Sequence, residues 1–169
     1  MRDNRVKDYI KPFKVLLESE GTVNSKALLE NDYDQTLLSS TNYLVLKPNG
    51  FIVLDFLKER MGGAKIIVPQ TPLSLTKVRL RFGESLMEAM SDVDSSSATN
   101  DHSLRDFEVY LPRYSSSEYA ETGYRFLRID NLSDSDLLLL NVYQTSIYRD
   151  LEYVGSFKCS DDRINDIYN

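Results

Sequence analysis

Three carboxylates, Asp55, Glu59 and Glu84, lie within or just beyond a run of strand-forming residues, and two carboxylates facing across a cleft are the equipment of general acid/base hydrolysis. Carboxylates at strand ends are ordinarily surface or turn residues, so no catalytic role is assigned to them. His102 is the only histidine, set beside Asn100, Asp101 and Arg105, with no nucleophile motif or second imidazole near it. It reads as a loop histidine hydrogen-bonded locally. The run from Asp92 through Asp94 opens like a calcium loop, but its sixth position is Ser97, where glycine is needed. Its twelfth is Ser103, where a bidentate Glu should sit, so a helix–loop–helix calcium site is excluded and no metal ligand is assigned. A looser calcium site over Asp92, Asp94, Asn100 or Asp101 is the metal reading left. The chain has 11 Tyr and no Trp, and Tyr110, Tyr114, Tyr119 and Tyr124 cluster in sequence. An exposed ring near a loop end is what a sugar stacks on, whereas the same residue half-buried in a sheet is ordinary. Asn100, Asp101, His102, Tyr110 and Tyr124 are the candidate ligand contacts.

These residues must be positioned by strands. From Lys77 to Phe82 charged and apolar residues alternate one by one, a period of two with one wet face and one buried face. Upstream, residues 51–57 are almost wholly apolar, as in a central strand covered on both sides. Gly62-Gly63 permits a bulge or a tight reversal before residues 64–68, and Pro69 and Pro72 bracket the link onward. The economical reading is three consecutive strands sharing one core. Before them, residues 14–18, 36–38 and 43–46 read as short strands, and Asn24 as the cap of a brief helix over residues 25–30. Residues 83–103 are too polar to bury and form a surface loop or a partly mobile segment. Beyond it come a strand around Phe107, Val109 and Leu111, a polar turn at residues 115–118, a strand over 124–129, and the longest candidate, 137–148. Short strands with regular turn signals predict a mainly β fold, an antiparallel β-sandwich of jelly-roll type. At the end the period changes: Ser160 is a good cap, Asp161 and Asp162 suit a helix N-terminus, and Ile164, Ile167 and Tyr168 share one helical face. The expected organisation is an N-terminal extension over residues 1–49, a sandwich over 50–157, and a linker with the first turns of a helix over 158–169.

Bulk composition narrows the functions open to such a fold. At 169 residues, 41% hydrophobic and 27% charged, the chain is one ordinary globular domain. A formal net charge of −6 argues against nucleic-acid binding, and Lys77, Arg79 and Arg81 read as a solubilising row on a wet strand face. Cys159 is the only cysteine, which leaves no intrachain disulfide and no cysteine-rich metal site. The longest apolar run, residues 137–140, is far short of the roughly 20 residues of a spanning helix, so no membrane partner is expected. The N-terminal residues carry charge without the apolar run of a signal peptide, and no compartment is assigned.

Several stretches together resemble one enzyme family. A strand ending in Leu54-Asp55-Phe56, a turn at Gly62-Gly63 and the Arg81-Phe82-Gly83-Glu84 strand end resemble the β-sandwich preceding the catalytic barrel of bacterial α-L-rhamnosidases, glycoside hydrolase family 78. So do Gly155-Ser156-Phe157, Cys159-Ser160-Asp161 and Arg163-Ile164-Asn165, which resemble the junction from that sandwich into an (α/α)6 barrel. Leu57 stands where such relatives often carry Gly, and Tyr168 where they more usually carry Trp. The resemblance covers residues 9–169 and implies a non-catalytic domain that braces a catalytic barrel. The carboxylates that invert a terminal α-L-rhamnoside would then lie in the barrel, outside this chain. The helix starting at the C-terminal end reads as the beginning of that absent barrel, and its apolar face, with Phe157, as a patch prone to self-association. The alternative is a free-standing carbohydrate-binding module for rhamnose-containing glycans.

Overall fold

The computed structural model describes residues 4–39, 41–95, 104–152 and 154–168, and two unusually long strands dominate it. Strand β4 (Phe51–Val68) runs antiparallel to β7 (Ser115–Asn131), and both take part in two layers. In one layer β2 (Lys14–Glu18) flanks the first half of β4, and the second half of β7 pairs with β5 (Leu75–Gly83), which pairs with β6 (Asp106–Pro112). In the other, β9 (Asn141–Arg149) joins the second half of β4 and β1 (Arg5–Ile10) closes the edge. A small second sheet pairs β3 (Leu44–Leu46) with β8 (Leu137–Leu139).

The layers face one another across one large core, with a smaller cluster of Ile67, Leu140 and Tyr143 apart from it. Ile52, Leu54 and Phe56 from the first half of β4 belong to the same buried cluster as Ala64, Ile66 and Val68 from its second half. Val78, Leu80 and Phe82 enter it from β5, and Leu127 and Ile129 from β7. The fold is therefore the mainly β, antiparallel sandwich of jelly-roll type that the strand spacing predicts. Each fully buried aliphatic side chain is worth about 1.5–3 kcal/mol, so the alternation in β5 is a principal source of stability.

Several expectations give way to longer-range pairing. Gly62-Gly63 is a bulge rather than a reversal: pairing shifts register between Gly62 and Ala64, and β4 continues through it. The three expected consecutive strands are two, and β5 lies not against β4 but across β7. The polar residues 115–118 start β7, because the turn falls just before them at Arg113-Tyr114, where Tyr114 has a φ of 55°. The long candidate over 137–148 breaks at Leu140, between β8 and β9. Residues 36–38 form no strand. Their neighbourhood is fixed by side chains instead: the Asn31 amide donates to the carbonyls of Asn42 and Leu140, and the Asn141 amide donates to that of Asn31. Asn24 does not cap with its side chain, which donates to Asn42 and the Tyr43 carbonyl, and helix α1 is reduced to Ala27–Glu30.

Two further helices punctuate the sandwich. Helix α2 (Leu86–Met90) carries a full capping box, in which Ser85 accepts from the Glu88 amide and the Glu88 carboxylate accepts from that of Ser85. At helix α3 (Asp162–Tyr168) the side chain accepting a first-turn amide is that of Asp161, bonded to Arg163 N, rather than that of Ser160. No helix among the described residues is long and apolar enough to cross a membrane.

Candidate functional site

The structure separates the residues that sequence grouped as ligand contacts. Tyr124 is fully buried; its ring stands edge-on to Phe82 and Phe56, with centroids 4.8 and 5.9 Å away. Its hydroxyl donates to the carbonyl of Gly63 at 2.6 Å, and burial pushes its pKa well above the usual phenol value. Tyr124 is a core residue, not a ligand contact. It shares the core with Leu127 and Ile129, which strict alternation along β7 would set on the opposite face. Tyr110, 57% exposed on β6, remains at the surface. Asn100, Asp101 and His102 lie outside the described residues. Asp92 is held by Arg79 and Arg81, and among the described residues no cluster of His, Cys, Asp or Glu is arranged to hold a metal.

A more organised arrangement sits at one end of the sandwich. Between the pairs Asp55↔Phe126 and Arg60↔Tyr124 the chain of β4 makes an excursion of four residues, 56–59, opposite the single residue Arg125. Its two ends are pinned by charge. The Asp55 carboxylate, almost wholly buried, accepts from Arg125 Nε and Nη2 at 2.8 and 2.9 Å and from the Leu57 amide at 2.8 Å. The Arg125 hydrogen bonds and charge hold the Asp55 carboxyl below the usual carboxylate range despite its burial. At the other end Arg60 Nη1 donates to the carbonyls of Phe56 and Lys58 and to Gln144 Oε1.

The excursion turns at Leu57, whose φ of 70° is one that glycine adopts without strain and whose side chain is half exposed. Phe13, 60% exposed, lies alongside, because its amide donates to the Asp55 carbonyl at 2.8 Å. Glu59 and Glu84, both exposed, converge over Gly123; a Cβ there would come within 3.4 Å of one carboxylate and 3.9 Å of the other. Arg125 rests 4.8 Å from the Phe126 ring centroid and keeps part of its guanidinium in solvent. The neighbourhood of the excursion thus carries an exposed aromatic ring, a fixed guanidinium and carboxylate oxygens, groups of the kinds that bind sugar rings and hydroxyls.

Sequence reasoning missed Phe13, Arg60 and Arg125, because their roles depend on pairings as distant as Asp55 with Arg125. One local signal was present: residues 57–60 read Leu-Lys-Glu-Arg in the middle of an otherwise buried strand, a polar interruption that marks the excursion. Of the three carboxylates considered first, Asp55 is consumed by its ion pair, and Glu59 and Glu84 stay at the rim.

No protein-family model matches the chain, and no curated protein does either. The fold, in contrast, recurs in solved structures. A rhamnosidase from Klebsiella oxytoca with rhamnose bound superposes with a TM-score of 0.65 at 13% identity, over 96% of this chain and 33% of its own. An α-L-rhamnosidase from Dictyoglumus thermophilum gives 0.52 at 20% identity, over 95% of this chain and 15% of its own. A truncated AlyQ with CBM32 and alginate lyase domains gives 0.51 at 15% identity, over 86% of this chain and 35% of its own. The class the fold defines is thus an antiparallel β-sandwich found within larger carbohydrate-active enzymes. More particularly, nearly the whole chain has the fold of a part of α-L-rhamnosidases, the enzymes its sequence resembles, while it spans about a third or less of their length.

Proposed function

We propose that this chain is a non-catalytic β-sandwich domain of an α-L-rhamnosidase-like glycoside hydrolase, serving to support a catalytic barrel. The observation that carries this reading is the match of 96% of the chain to one third of the Klebsiella oxytoca rhamnosidase. The state of the carboxylates agrees with it, since Asp55, held charged by Arg125, has no proton to give at neutral pH. Phe157, Ile164 and Ile167 are exposed in and before α3, an apolar set suited to packing against further helices.

The test is activity and association of the chain alone. Incubated with 4-nitrophenyl α-L-rhamnoside it releases no nitrophenol above the buffer rate, and turnover would overturn the reading. Sedimentation velocity is expected to show concentration-dependent self-association through the α3 face, and a monomer at every concentration counts against a bracing role.

A second reading is a carbohydrate-binding module for rhamnose-containing glycans, favoured by the exposed Phe13 beside the pinned excursion. A glycan array probes it directly: hits lost on Phe13→Ala support it, and an array without hits removes it.

A further inference from the structure

On the outer face of the first layer, three arginines and three aspartates meet under α2. Arg79 donates from Nε to Asp106 Oδ1 at 2.6 Å and from Nη2 to Asp106 Oδ2 at 2.5 Å. Arg128 clamps Asp130 through Nε and Nη2, with its guanidinium 4.4 Å from the Phe51 ring centroid. Arg81, directly opposite Arg128 in the ladder, is the exception. The sequence places it on a wet face, yet it is only 7% exposed, and its Nε has no hydrogen-bond partner, the nearest carboxylate oxygen being Asp130 Oδ2 at 3.5 Å. A buried guanidinium N–H without an acceptor is costly.

The third carboxylate differs from the other two. Asp106 and Asp130 are buried by their clamps, whereas the Asp92 side chain is 71% exposed while its Oδ1 lies 2.9 Å from Arg79 Nη2 and 3.3 Å from Arg81 Nη1. Its backbone is anchored: Arg105 holds the carbonyls of Glu88 and Ser91 at the end of α2, and the Ser95 amide donates to the Asp92 carbonyl. Rotation of one side chain therefore vacates the position without disturbing the helix. With Asp92 away, three guanidiniums face two carboxylates, and the excess positive charge falls on the most buried of them.

We propose that the Arg79–Arg81 pair is a binding subsite for the carboxylate of an acidic glycan, occupied in this structure by the chain's own Asp92. A carboxylate in the place of Asp92 meets two donors at once, Arg79 Nη2 and Arg81 Nη1, and the second of these belongs to a buried guanidinium that its neighbours leave under-bonded. The sugar rests on the glycan-associated reading above; the anion chemistry stands on the arginines. An exposed ion pair is weak, so the Asp92 carboxylate competes only modestly, and its removal strengthens binding about fivefold.

The experiment is isothermal titration of the whole chain with trigalacturonate at low ionic strength, comparing wild type, Asp92→Asn and Arg79→Lys, with rhamnose and sodium sulfate titrated separately. Thermal melts confirm that each variant is folded. The expected result is an approximately fivefold gain for Asp92→Asn, a loss for Arg79→Lys because lysine cannot hold Asp106 through a fork and present a further N–H at the Asp92 position, and weakening with added salt. No gain in Asp92→Asn overturns the proposal, as does sulfate binding as tightly as the uronate. Failure of rhamnose to bind bears on the neutral-glycan reading alone, so the two are distinguishable.

Discussion

Tyr124→Phe tests the core at its most constrained point. At the bulge of β4, Gly63 falls where the ladder shifts register and has no register partner on β7; its N–H donates to Thr145 Oγ1 and its carbonyl accepts from the Tyr124 hydroxyl. Phenylalanine keeps the ring and its edge contacts with Phe56 and Phe82, so the variant deletes one hydroxyl and nothing else. What remains is a buried carbonyl deprived of its hydroxyl donor, which costs about 1–3 kcal/mol. Taking about 2 kcal/mol and the usual 2–4 °C per kcal/mol for a chain of this size, Tm falls by about 4–8 °C. Differential scanning calorimetry reads this directly. Thr145→Val, which orphans the N–H in the same way, is expected to cost a similar amount, and the double variant less than the sum, because both act on one residue. A Tyr124→Phe melt within a degree of wild type would refute the reasoning, and a loss of glycan affinity at unchanged Tm would return Tyr124 to the role of ligand contact.

Gly63→Ala is expected to fail outright, since a Cβ there would overlap the backbone carbonyls of Ala120 and Tyr119, and neither can yield; soluble expression with a wild-type melt would show that the bulge is softer than its geometry. Leu57→Gly should run against the usual penalty for glycine: relief of the left-handed backbone, about 1 kcal/mol, offsets the extra entropy of the unfolded chain, so Tm does not fall. A drop of several degrees on denaturation would mean that the half-exposed Leu57 side chain carries packing not visible in its exposure. For acid stability the sign follows from Asp55, whose folded pKa lies below its unfolded value near 4 because of Arg125. Its contribution is present above about pH 4 and is lost as pH falls through the folded value. Melting temperatures of wild type and Arg125→Gln are therefore expected to differ at pH 7 and to draw together as the pH falls from about 4 through the folded value; an offset that does not shrink at all on acidification would exclude the ion pair as the cause.

Much of the sandwich was legible because burial repeats with the pleat. Val78, Leu80 and Phe82 point inward as their alternation requires, and the apolar run at residues 51–56 is covered on both faces. What escaped was set by partners far along the chain. Nothing near Gly62 distinguishes a bulge from a reversal; the decision rests with Thr145 and Tyr124, which receive the freed backbone groups. Arg81 looks solvent-facing by its period, yet α2 and Asp92, supplied by the following loop, close over it. At the end of the sandwich, Asp55 was visible as a carboxylate in a strand, but its partner is 70 residues away, so its meaning changed from acid/base candidate to anchor.

The pairing of β1 with β9 has a mechanical consequence. Arg5 lies opposite Arg149 and Ile10 opposite Gln144, so the outer ends of these two strands emerge side by side at one corner. A load applied across residues 5 and 149 would part their hydrogen bonds one at a time, as a zipper opens, instead of shearing the row together. β1 would thus peel away at low force, while β9, still laddered to β4, keeps the body of the sandwich closed. Under tension the domain has a detachable edge and a resistant centre, and an optical-trap record of this chain should show a small early extension well before the main rupture.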